Sequence, residues 1–170
     1  VAPAMVGLGL LQSVPDETLL ALADPDDADG DGISGRANEV WDALAGKKSL
    51  GRFGWKANQP NLRQQNAGAA VGDIGIATSM AEAQNCTPAQ FDCVKAINGG
   101  APEMSDEFLD KLTLYTMTIA VPAQRNANDP VVKQGEELFR AMGCASCHMP
   151  TLQTKSVEHF SELENQTFHP

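Results

Sequence analysis

The chain has no cluster of basic residues, no long apolar run and no internal repeat. Its 12 Lys and Arg are scattered among 22 Asp and Glu, leaving a formal charge of -10. It therefore lacks the means to neutralise a phosphate backbone, and nucleic acid is not an expected partner. An acidic surface of this kind instead steers cations or basic proteins, an effect that salt weakens. The longest apolar stretches, 4–11 and 115–121, fall well short of the ~20 residues that span a bilayer, so no transmembrane segment is expected. Neither an initiator Met nor a basic segment followed by an apolar one opens the sequence, which reads as starting after processing or inside a longer chain.

What is present suits a mainly helical fold. At 42% hydrophobic content, 170 residues can bury one core, or one core and part of a second. Ser13, Pro15, Asp16 and Glu17 before Leu19, Leu20 and Leu22 predict a short helix ending near Asp24-Pro25. Residues 51–66 read as a turn or short strand, then a helix from near Pro60. Cys86 and Cys93 bracket a short helix with Thr87 as cap and Pro88 at its first position. Ser105 caps a stronger helix with Phe108, Leu112, Tyr115 and Ile119 on its packed face, stopped by Pro122. After a polar linker, Asp129 and Pro130 open another helix, with Val131, Gly135, Leu138, Phe139 and Met142 as its apolar stripe and Lys133, Glu136 and Arg140 turned away. No alternating strand pattern competes.

That helix delivers the chain to Cys144-Ala145-Ser146-Cys147-His148. Two Cys spaced C-x-x-C with His next is the attachment pattern for haem c. The two thiols add to the vinyl groups, and the adjacent imidazole reaches the iron. Cys144 and Cys147 are thus the expected thioether sites and His148 the expected proximal iron ligand. A zinc half-site needs more ligands than are near, and a thioredoxin-like pair needs a preceding strand in a βαβ setting. For the other side of the iron, Met149 adjoins the proximal His and cannot swing across. His159 and His169 are candidates, while Met104, Met117 and Met142 suit core packing.

Between Asp24 and Gly35 lie five Asp and three Gly, a composition that demands a loop. Asp27, Asp29 and Asp31 followed by Gly32 reproduce the first half of an EF-hand-type loop and are candidate calcium ligands, with Asp24, Asp26 and Asn38 in reserve. The alternative is a solvated Asp-rich turn. Haem c is attached outside the cytoplasm, where disulfides persist, so Cys86 and Cys93 are expected to pair and the protein to be periplasmic or otherwise exported.

Three stretches, GLGLLQSVPDETLLALADPDDADGDGISGRANEVWD, LGRFGWKANQPNLRQQNAGAAVGDIGIAT and GEELFRAMGCASCHMPTLQT, resemble the bacterial di-haem oxidoreductases, often labelled thiol oxidoreductases and distantly related to di-haem cytochrome c peroxidases. The resemblance implies two c-type haems, a periplasmic location and peroxide reduction or related electron transfer. This chain carries one haem motif rather than two and resembles the middle and part of the C-terminal half of such a protein. The expected organisation is a helical segment over 1–125, holding the acidic loop (24–36) and an interhaem-type stretch (50–79). A cytochrome c-like module would begin at 126–170, truncated. Trp55 is the resemblance's candidate for electron transfer between haems, beside its reading as a packing Trp. A second haem domain of the same protein, or a redox partner protein, is the implied partner. A mono-haem electron carrier, or a calcium-stabilised thiol/disulfide protein lacking haem, are the competing readings.

Overall fold

The computed structural model describes residues 4–155 and 160–169. Helices hold 36% of the described residues, and the strands are two to four residues long, so the chain is mainly α. It divides into two compact units. One comprises Ala4 and Asn38–Thr118; the other comprises Met5–Ala37 and the described part of Ile119–Pro170.

The first unit opens with a hairpin that the sequence pattern did not announce. Strands β1 (Glu39–Asp42) and β2 (Lys47–Leu50) pair antiparallel with Glu39 opposite Leu50. Its turn is held by a side chain: Asp42 Oδ1 accepts from Leu44 N at 2.9 Å and Ala45 N at 3.0 Å. Next, α3 (Leu62–Asp73) is capped by Asn61, whose Oδ1 accepts from Gln64 N at 2.9 Å. The Gln64 side chain then latches helix to hairpin, accepting from Ala43 N at 2.9 Å and donating to Trp41 O at 3.0 Å. Gly51 is obligatory, since a Cβ there would lie 1.8 Å from the Ala57 carbonyl oxygen.

Helix α3 packs on α5 (Asp106–Thr118) through Ala67 and Ala70 against Leu109, with Met104 beside them. Asn66 Nδ2 donates to Thr116 Oγ1 at 3.0 Å within the buried layer. Outside it Arg63 bridges Asp110 at 2.8 Å and Asp106 at 2.6 Å, which raises its guanidinium pKa further. The packed face of α5 corrects the sequence reading. Leu109, Thr116 and Met117 are buried, whereas Phe108 is 58% and Tyr115 65% exposed. Two threonines cause the rotation. Thr113 and Thr116 return their hydroxyl protons to the carbonyls of Leu109 and Thr113, so a nominally polar edge can face inward. The helix also stops at Thr118, short of Pro122. The short helix near the second cysteine pair, α4 (Phe91–Lys95), begins after Gln90 rather than at Pro88 and contains Cys93.

Glu103 fastens the segment before α5. Its carboxylate accepts from Ala77 N at 2.8 Å, Gly99 N at 2.7 Å and Gln84 Nε2 at 2.9 Å. These bonds, the Ala77 one foremost, hold its pKa below the ordinary glutamate value. A carboxyl depressed in the folded state stabilises above its unfolded pKa and loses that contribution as pH falls. The Tm advantage of wild type over Glu103→Gln is therefore expected to be full above about pH 4.3 and to shrink as the pH is lowered further. Thermal melts of both proteins across an acid series check this.

In the second unit, α1 (Leu8–Gln12) and α2 (Asp16–Leu20) flank the buried Val14, the first of these helices lying outside the sequence expectation. Val14 shares a core with Leu152 of β3 (Leu152–Gln153) and Phe168 of β4 (Thr167–Phe168), and Leu10, Leu11, Leu19 and Met149 pack around it. Buried Thr154 is satisfied by Leu163 O and Gln166 N at 2.5 and 2.8 Å. The long helix of this unit, α6 (Pro130–Ala141), starts as its sequence predicts, with Asp129 Oδ1 accepting from Val131 N at 2.8 Å and Pro130 at the first position.

Candidate functional site

Helix α6 buries none of its residues. Its apolar stripe of Val131, Leu138, Phe139 and Met142 lies open, and a Cβ at Gly135 would meet nothing within 4 Å. Met142, expected to pack in a core, is 77% exposed, whereas Met104 and Met117 are buried as expected. An apolar face left bare on an amphipathic helix is a surface shaped for something apolar.

The helix ends at Gly143, whose φ of 78° is in the left-handed region that favours glycine. This turns the chain into a single 3-10 turn, Cys144–Ser146. Cys147 N and His148 N both donate to Cys144 O, at 3.2 and 3.0 Å, so the five-residue motif is closed on itself. Both thiols are free, Cys144 half-buried and Cys147 exposed. The His148 ring meets the Phe139 ring edge-on, with centroids 5.9 Å apart and planes at 61°. Two unpaired thiols and an imidazole within five residues, following an open apolar helix face, are the donor set that a covalently held porphyrin needs, and the residues fit that group.

Of the candidates for the opposite side of an iron, Met149 packs into the Val14 core and His159 lies outside the described residues. His169 follows β4 and points Nδ1 at Pro150 O, 2.6 Å away. Because a carbonyl only accepts, that nitrogen is the donor in the bond.

In the acidic loop the gathered carboxylates are those of Asp24, Asp27 and Asp29, whose oxygens lie within 4.8 Å of one another. Asp24, a reserve in the sequence reading, thus joins two of the expected residues. Its carboxyl is held below the usual aspartate range, chiefly by the Ala28 N–H at 2.9 Å. Asp31 instead turns back to accept from Ile33 N at 2.8 Å. Asn38, another of the three reserves, donates to the Lys56 and Ala57 carbonyls.

Trp55 is 76% exposed, so it is not a core packing residue. It stands at the rim of an open cleft of about 600 Å³ whose walls include Asn38, Asn58, Gln59, Gln65 and Asp73. The sulfurs of Cys86 and Cys93 face each other at bonding distance, their Cα atoms 5.8 Å apart. Among the described residues no helix is long and apolar enough to cross a membrane.

A pair of free thiols followed by an imidazole suits a haem-dependent class of redox protein. The chain itself belongs to a family described as "Di-haem oxidoreductase, putative peroxidase", whose model matches residues 1–170. Haem is accordingly the family's cofactor and oxidation–reduction its class of chemistry. Searches of curated proteins and of solved structures found no match.

Two features of these sites lay outside the sequence reading. The contact between Phe139 and His148 joins residues on either side of a helix end, which periodicity cannot link. The part played by Gln64 depends on a hairpin that no alternating pattern signalled.

Proposed function

We propose that this chain carries one covalent haem c and supplies one electron-transfer centre of a di-haem peroxidase-like oxidoreductase. The observation that carries the proposal is the closed Cys144–His148 motif, with both thiols free, at the end of the bare apolar face of α6. Cys144 and Cys147 would each add S–H across a vinyl group. A C–S bond and a C–H bond form as the S–H bond and the vinyl π bond break, with no net change in electron count. His148 would give an imidazole nitrogen lone pair to the iron, and the apolar stripe of α6 would exclude water from that side. When bound, the haem supplies a one-electron couple. Across the full-length enzyme, two electrons and two protons convert a hydrogen peroxide to two waters. The electrons would be delivered singly by a redox partner protein, with a second haem domain of the same protein contributing the other centre. Trp55, exposed and aromatic, is the candidate relay between the two. Thioether formation and a Cys86–Cys93 disulfide both fit an exported, periplasmic protein.

The test is a pyridine haemochrome spectrum of protein exported through a host with haem c maturation. A c-type spectrum with one haem per motif is expected; absence of covalent haem overturns the assignment.

The proposal extends to calcium in the 24–36 loop, held by Asp27 and Asp29 with Asp24 or Asp31. What supports it is charge. Three carboxylates this close repel one another, and a hard divalent cation relieves that repulsion with the oxygen ligands it prefers. Millimolar calcium is expected to raise Tm in wild type and not in Asp27→Asn with Asp29→Asn. An unmoved wild-type melt sinks the site.

A further inference from the structure

We infer that Phe139 is a positioning residue for His148, fixing the plane of the imidazole against the last turn of α6. The inference rests on the haem assignment above. An iron-ligating imidazole is ordinarily oriented through its second nitrogen, which donates to a carbonyl or carboxylate and so sets both ring angle and basicity. Among the described residues no hydrogen bond reaches the His148 ring, and its contact is the Phe139 edge.

The bond from His148 N to Cys144 O holds the backbone but leaves the ring torsion open, and that torsion is intrinsically broad for histidine. Phe139 closes it. It sits on a regular helix, two residues before the last of α6, and the left-handed turn at Gly143 brings the motif back beside it. Edge-to-face packing at 61° restrains rotation without adding a hydrogen bond. The imidazole is therefore held in one orientation, and that orientation depends on the aromatic ring.

The test uses the full-length protein with haem attached. EPR spectra of the oxidised state and the midpoint potential of this haem are compared in wild type, Phe139→Leu, Phe139→Tyr and Leu109→Ala. Leu109 packs in the core of the first unit with Ala67, Ala70 and Met104, so its truncation reports loss of stability. All four should retain covalent haem. Phe139→Leu should broaden the distribution of g values and shift the potential, Phe139→Tyr should restore both, and Leu109→Ala should lower Tm while moving neither. Phe139→Met, closer in volume, replaces the Leu variant if that one does not fold.

Wild-type potential and g values in the Leu variant overturn the role of Phe139, as does a Tyr variant that shifts as far as the Leu variant. A wild-type protein without covalent haem overturns the underlying assignment instead.

Discussion

Changing Cys144 and Cys147 together to serine is expected to abolish covalent haem, taking the haemochrome signal of this motif from one haem per chain to none. A hydroxyl is a far poorer nucleophile toward a vinyl group than a thiol, so nothing in the motif could take over the bond. The single variants grade the effect. Each keeps one thioether, and one vinyl group stays conjugated with the macrocycle, so the haemochrome band should move to longer wavelength without disappearing. Both sulfurs are free and Cys147 is the exposed one, which makes the losses attributable to chemistry rather than to a collapsed core. The companion pair supplies the control. Cys86→Ser with Cys93→Ser touches the 86–93 loop and should leave haem stoichiometry unchanged. Retention of covalent haem by Cys144→Ser with Cys147→Ser would remove the basis for placing a cofactor here.

Leu109→Ala should have the largest effect on stability. Leu109 is 0% exposed and packs on Ala67, Ala70 and Met104, so truncation leaves a cavity that the two alanines cannot fill. A loss of about 2–5 kcal/mol follows from comparable buried leucines. Phe108→Ala, one position along and 58% exposed, should cost no more than about 0.5 kcal/mol, the range of surface changes. Urea melts of the two variants decide which face of α5 is packed, and the opposite ranking would restore the face that periodicity favours.

The contrast between those neighbours shows where the sequence is legible. Asp129-Pro130 announces a helix start because a cap acts within three residues, and the helix begins there, while the helix expected from near Pro60 begins at Leu62 after the Asn61 cap. The haem motif is equally local, five consecutive residues with one chemistry. The packed face of α5 is not local. Phe108 outweighs Thr113 and Thr116 in hydropathy and Tyr115 is the larger side chain, but the threonines satisfy their own hydroxyls on the helix backbone and so lose their claim to water. The hairpin escaped notice because its strands hold four residues each and its turn is organised by Asp42 rather than by an Asn-Gly or Asp-Gly pair. Calcium-type spacing named Asp27 and Asp29 as neighbours and kept Asp24 in reserve, but could not foresee that Asp31 would bond its own backbone.

The pairing of Asn66 with Thr116 has a consequence for how the helices of the first unit find each other. Ala67 and Ala70 give α3 a smooth surface, on which a partner could slip by a turn and still bury nearly the same area. Thr116 spends its proton on Thr113 O, so its oxygen can only receive, and Asn66 Nδ2 is the donor that meets it. A displaced α5 would strand both groups in a layer without water, at a cost greater than the bond is worth when made. The contact acts as a key to alignment: it penalises every wrong register, whereas Leu109 rewards burial in whichever register is reached.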